Sequence, residues 1–190
     1  MICGQPLDYL FALKNEAMIK LCKFEETDIS KLLEWIPDAR FLLQWADPKY
    51  IFPLNKGQLM MELDGTKGYQ PSHFMFKAIY VADKEAVGHV ELMAIDYDKK
   101  TARLGRVIIG QNEMRGKGYG NQMIQAALTF GFEKLNLNEI DLGVFDFNSS
   151  AIRCLKRLFD MVEMYSILNQ MQLQSDVKQI NEAVADIPDQ

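Results

Sequence analysis

Along the chain, short β-branched and aromatic runs take turns with longer segments whose apolar residues recur at helical spacing. "MIKLCKF", opening at Met18, predicts the first strand. Behind it Ile29, Leu32, Leu33 and Ile36 share one helical face, with Thr27 or Asp28 as the cap. Pro37 stops or kinks that helix, and a second short piece runs to about Trp45. "ADPKYIFPLN" is broken by two prolines and reads as a loop, followed by a short helix from Asn55 to Gly65. "HFMFKAIYVAD" and "AVGHVELMAID" are joined by the tight turn "DKEA", which predicts an antiparallel hairpin. "YDKKT" turns into a third strand, "ARLGRVIIG", completing a meander. Met123, Ile124, Ala127, Leu128, Phe130 and Phe132 then mark an amphipathic helix. "EIDLGVFDF" predicts a strand, and "NSSAIRCLKRLF" a helix with Asn148 at its N-cap.

The resulting order, β-α-α-β-β-β-α-β-α, predicts an α/β domain with a mixed central sheet and flanking helices. It would occupy residues 18–160, with 1–17 as an N-terminal extension and 161–190 as a separate C-terminal segment. In that segment Met161, Met164, Ile167, Leu168 and Met171 follow a helical spacing. Two readings stay open: a helix packed on its own core, or a contact with a second copy in a homodimer.

Composition narrows the function. The chain has 190 residues, 48% of them hydrophobic, enough for one domain with a sizeable core. Its net charge of −5 argues against nucleic acid as a partner, so any anion site must be local. Cys3, Cys22 and Cys154 are far apart, and His73 and His89 have no Cys or His partner nearby, so no metal is expected. Reduced cysteines fit the cytoplasm. No apolar stretch is long enough to span a bilayer, and the N-terminus lacks a basic n-region; neither a membrane partner nor a signal peptide is expected.

The local anion site has a candidate. "RGKGYG", Arg115 to Gly120, sits between the third strand and the amphipathic helix. A glycine-rich loop there exposes backbone N–H groups, and the helix N-terminus adds partial positive charge. Glycines let an anion reach the backbone, and Arg115 and Lys117 add cationic character. The plain alternative is a glycine-rich helix entry with surface cations. The spacing fits neither G-x-x-x-x-G-K-[ST] nor G-x-G-x-x-G. It fits R-x-x-G-x-G, at Arg115, Gly118 and Gly120.

In these residues the chain resembles the GNAT superfamily of acyl-CoA-dependent N-acetyltransferases. "VIIGQNEMRGKGYG" resembles the acyl-CoA signature, "VFDFNSSAIRCLKRL" the strand-Asn-helix segment after it, and "FLLQWADPKYIFPLNKGQLMMEL" the acceptor-side region. The resemblance spans Met18 to Phe159. It implies acetyl transfer from acetyl-CoA to a primary amine of a small molecule or peptide. Val107, Ile108 and Ile109 would offer backbone groups to the pantetheine arm. The amides of Gly116, Lys117, Gly118, Tyr119 and Gly120 would hold the pyrophosphate, and Asn148 would line the thioester end. Trp45, Tyr50 and Phe52 would line an acceptor pocket, or else pack in the core.

The chain departs from the family pattern where catalysis is usually supported. "A-E-I-G" is replaced by Ala102-Arg103-Leu104-Gly105, a second Glu position is Gly143, and the Tyr that protonates the thiolate is Leu155. Glu91 is the remaining catalytic candidate in the central strands; its plain alternative is a solvent-facing strand residue. His89 reads as a satisfied strand residue, Cys154 as a small helix residue, and Tyr119 as either a loop residue or one that packs on the helix. A second function therefore stands beside the first: an acyl-CoA-binding module with weak or lost catalysis, acting as a sensor or interaction protein.

Overall fold

After β1 (Ile19–Lys23) a 3-10 turn at Glu26–Asp28 leads into α1 (Ile29–Glu34). The Asp28 carboxylate accepts from the Glu25 amide at 2.8 Å and so closes the turn; α1 itself has no side-chain cap, against the expectation for Thr27 or Asp28. Pro37 ends this segment, and Asp38 restarts the chain as α2 (Ala39–Ala46) by accepting from the Phe41 amide at 2.8 Å. Asn55 caps α3 (Lys56–Asp64) by accepting from the Gln58 amide at 3.1 Å. Three helices, and not the two in the expected order, therefore separate β1 from the meander, because the break at Pro37 is complete.

The computed structural model describes residues 18–160, and the chain divides after Asn148 into two compact units. The meander is β2 (Phe74–Tyr80), β3 (Ala86–Asp96) and β4 (Thr101–Ile109), followed by α4 (Tyr119–Thr129) and β5 (Glu139–Leu142). In the second unit the described part is helix α5, 149–160. The expected extension at 1–17 and the C-terminal segment lie outside the described residues. Among those described, no helix is long and apolar enough to cross a membrane.

The sheet order is β1-β2-β3-β4-β5, antiparallel except for the parallel β4–β5 pair. Against one face α1–α3 bury Phe24, Leu32, Leu42, Trp45, Leu59, Met75 and Ile108. Against the other lies α4: a Cβ added to Gly88 would come within 3.1 Å of Met123 Sδ. The chain continues from α4 into a π-helical turn, Phe130–Lys134, whose Phe130 ring stands 5.0 Å from Phe74 and from Phe76.

Two irregularities set the course of β4. Its pairing with β5 runs only from Thr101↔Glu139 to Leu104↔Leu142. Its register with β3 then slips: Gly105 faces Glu91 and Ile108 faces His89, so Arg106 and Val107 together oppose one residue. Arg106 sits in this bulge at φ 50°, in the left-handed region. The strand expected to reach Phe147 stops at Leu142 for the same reason. β4 has turned away, and a strand without a partner leaves its backbone groups unpaired. Gly143 follows, and Asp146–Phe147 form a turn.

Candidate functional site

The glycine loop has the conformation of an open cradle. Gly116 and Gly118 adopt φ of 75° and 85°, and a Cβ on either would meet nothing within 4 Å. The glycines serve backbone conformation and leave the space before α4 unfilled. Gly118 is the N-cap of this 11-residue helix and supplies no side-chain hydrogen bond, so the first amides of α4 keep their positive end unsatisfied by a capping side chain. Lys117 is exposed beside them. The Tyr119 ring lies 5.4 Å from the Tyr80 ring, so it packs on the end of β2.

Arg115 behaves differently from a free cation. Its Nε donates to the Ile109 carbonyl at 2.8 Å and its Nη2 to the Gly110 carbonyl at 3.3 Å. It ties the loop to the end of β4. Trp35 closes the other side of Gly110, where an added Cβ would fall 2.0 Å from the indole ring. Between this clamp and Leu104, residues Gly105 to Ile109 have no β5 partner. Val107, Ile108 and Ile109 thus lie along an unpaired stretch of strand edge that leads to the glycine cradle. Asn148 follows β5, its amide donating to the Phe145 carbonyl at 2.9 Å.

A buried polar network lies under α2 and α3. Arg106 Nη1 donates to Glu91 Oε2 at 2.7 Å, Tyr50 Oη at 3.0 Å and Glu62 Oε1 at 3.2 Å. Its guanidinium carbon stands 5.0 Å from the Tyr50 ring centroid. The other Glu91 oxygen meets His89 Nε2 at 2.8 Å, and Lys49 Nζ lies 2.7 Å from the Glu62 carboxylate. His73 Nε2 is buried 3.6 Å from Glu62 Oε1 without a hydrogen-bond partner. Burial pushes Glu62 upward, but the hydrogen bonds and charges of Lys49 and Arg106 outweigh it and hold the acid below its usual range. Burial lowers His73 and keeps it neutral. It also raises the Tyr50 phenol, which stays protonated.

Glu62, His73 and Glu91 bring three ligand atoms within 4.8 Å of one another, a donor set that a divalent cation accepts. Arg106 Nη1 already bridges the two carboxylates, however, and Arg106 and Lys49 supply two positive charges to two acids. The cluster needs no metal to be neutral.

The expectation of a solvent-facing Glu91 is overturned: the residue is 0% exposed. β3 is the central strand, covered on both faces, so each residue from Val87 to Leu92 is buried. That run was the available signal for a buried acid. Glu62, His73 and Arg106 were missed, and their separation in sequence gives none. Trp45 and Tyr50 stack in the core with centroids 6.2 Å apart, whereas Phe52 is exposed. His89 is fully buried with Nε2 against Glu91, but its Nδ1 is buried without a hydrogen-bond partner, so the expectation of a satisfied strand residue is met at one ring nitrogen and not at the other.

Comparison with known proteins bears on this architecture. A profile of the acetyltransferase (GNAT) domain matches residues 19–158. The uncharacterized N-acetyltransferase p20 of Bacillus licheniformis is 26% identical over 132 residues, covering 65% of this chain and 73% of that protein. The spermidine N(1)-acetyltransferase of Vibrio cholerae is 35% identical over 71 residues, 37% of this chain and 40% of the relative. A crystal structure of the spermidine N-acetyltransferase from Vibrio cholerae in complex with CoA and spermine superposes with a TM-score of 0.62. It shares 23% identity, covering 75% of this chain and 80% of the other, so this likeness shows the fold.

Proposed function

From membership of the GNAT acetyltransferases, the family to which this chain belongs, we propose transfer of an acetyl group from acetyl-CoA to a primary amine of a small molecule or peptide. The observation that carries the reading is the opening of β4 from β5 after Leu104, leading directly to the unfilled glycine cradle. In this reading the amides of Gly116, Lys117, Gly118, Tyr119 and Gly120 hold the pyrophosphate. The Val107–Ile109 edge takes the pantetheine arm as a further strand would, with Ile108 turned to His89 on β3 and Ile109 turned to the open side. The Ile109 carbonyl is occupied by Arg115, so Ile109 contributes through its other groups, and Arg115 shapes the cradle more than it neutralises charge. Asn148 lies toward the thioester end.

Amine attack needs the ammonium deprotonated and the departing thiolate protonated. Glu91 is sealed from solvent and bonded to Arg106 and His89, so in this reading it positions Arg106 and does not itself meet the amine. Solvent reaching the opening supplies both proton transfers. The relative named for spermidine and the net charge of −5 favour a cationic acceptor. A homodimer belongs to the same reading but rests on residues outside those described. Light scattering tests it, and a monomer at micromolar concentration removes it.

Thiol release from acetyl-CoA, measured against an amine panel led by spermidine, tests the chemistry. CoA binding is measured beside it by calorimetry. Binding with amine-dependent release is expected. Binding without release from any amine favours the acyl-CoA-binding module, and absence of binding removes the cradle assignment.

A further inference from the structure

We propose that Arg106 is the positioning residue of the cofactor cleft: fixed by Glu91, Glu62 and Tyr50, it holds the β4 bulge that turns the Val107–Ile109 edge away from β5. The proposal rests on the reading that CoA occupies this opening.

Residue parity shows what the bulge does. Gly105 faces Glu91, on the sheet face covered by α1–α3. In a regular strand Arg106 would point to the opposite face, against α4. Two β4 residues opposing one β3 residue reset the alternation, so Arg106 also points under α2 and α3 and Ile108 joins the core on that side. The same reset coincides with the end of β5 pairing at Leu104, two residues before Arg106. Re-aiming the arginine and opening the cleft are therefore one backbone event.

That event is unfavourable for the backbone alone. Arg106 adopts φ 50°, a left-handed turn that costs a non-glycine residue about 1–2 kcal/mol; exposed Ala94 takes a similar φ of 48° in the other register shift between β3 and β4. The surroundings are identifiable: three acceptors at 2.7–3.2 Å and an aromatic face, around a side chain 6% exposed. Releasing the guanidinium from these partners removes what offsets the strain of the left-handed turn. β4 can then straighten and continue along β5, narrowing the space that a pantetheine arm needs.

The test separates backbone from charge. Glu91→Gln combined with Arg106→Gly or Arg106→Ala removes the ion pair without stranding a buried carboxylate. Glycine adopts the left-handed turn freely, whereas alanine, as at Ala94, takes it at a cost of about 1–2 kcal/mol. Folding is checked by circular dichroism, CoA affinity by calorimetry, and the amides of residues 105–107 by hydrogen exchange, which reports the bulge without cofactor. The alanine double variant should bind CoA about tenfold more weakly than the glycine one, with altered exchange at 105–107. A purely stabilising role predicts the reverse order, since glycine weakens a strand more than alanine. Equal affinity, or alanine the tighter, overturns the proposal. If the parent protein binds no CoA, the cofactor reading fails, and the exchange pattern alone decides whether Arg106 holds the bulge. If neither double variant folds, Tyr50→Phe decides: about threefold weaker CoA binding supports the proposal, and unchanged binding with unchanged exchange refutes it.

Discussion

His73 and Glu62 couple the buried network to pH in the same direction. Burial holds His73 below its ordinary value of 6.5, against the opposing pull of Glu91 and Glu62. The unfolded chain therefore takes up a proton first as pH falls, and stability is present above pH 6.5 and declines below it. Glu62 is held below 4.5 once Lys49 and Arg106 offset its burial, so a second loss begins below pH 4.5. Thermal denaturation across this range should show Tm falling in two stages, and His73→Gln should flatten the upper one. A parent Tm that is flat between about pH 7.5 and pH 5.5 contradicts the assignment of His73. Arg106→Met alone should be severe, about 3–5 kcal/mol by urea denaturation, because Glu91 is left buried without its cation. These side chains were the least legible part of the sequence. Glu91 was visible as a residue, but its surroundings come from α3, the stretch before β2 and the far side of a bulge. Hydropathy carries no trace of such a meeting.

At the scale of elements the sequence reads more plainly. The meander and the helix after the glycine loop follow from turn residues and apolar period, which are local properties. The failures are where a neighbour decides. β5 ends early because β4 bends away, and "EIDLGVFDF" contains no sign of that bend. The loop itself was legible because its glycines answer to backbone conformation. Gly118 at φ 85° has open space beyond its Cβ, so Gly118→Ala should cost only the strain of the left-handed backbone, about 1 kcal/mol. Gly118→Glu adds a negative charge where the pyrophosphate is proposed to lie. It should abolish CoA binding by calorimetry while the alanine variant retains a measurable part. Comparable affinities for the glutamate variant and the parent would remove the cradle. Gly110 answers to packing instead: Gly110→Ala drives a methyl into the Trp35 ring and should destabilise by about 1–3 kcal/mol. Trp35→Leu in the same chain should return part of that loss, and a double variant no better than Gly110→Ala would show that the contact is not the cause.

At the scale of the whole molecule the relevant quantity is charge. Acidic residues outnumber basic ones, 26 to 21, giving the net −5, while the cradle keeps Arg115 and Lys117 at its surface. A CoA pyrophosphate and a cationic amine therefore experience different fields. In the proposed reading the first would be held by a short-range arrangement of amides in an otherwise repelling molecule. The second would be drawn by the molecule's overall field, which acts beyond contact distance at low salt. Screening shortens that reach to about 10 Å at 0.1 M ionic strength and about 3 Å at 1 M. If the acceptor is a cation, kcat/KM for that acceptor at saturating acetyl-CoA should fall as salt rises, by about tenfold between 0.02 M and 0.5 M. The loss should appear in KM more than in kcat, because steering affects encounter and not the chemical step. An acceptor that carries a primary amine but no net charge, such as a zwitterionic amino acid, should change little over the same range. Equal salt dependence for the two acceptors would place the effect on the protein or on CoA binding, and a rate for spermidine that salt leaves unchanged would remove the long-range field as a reason to expect a cationic acceptor.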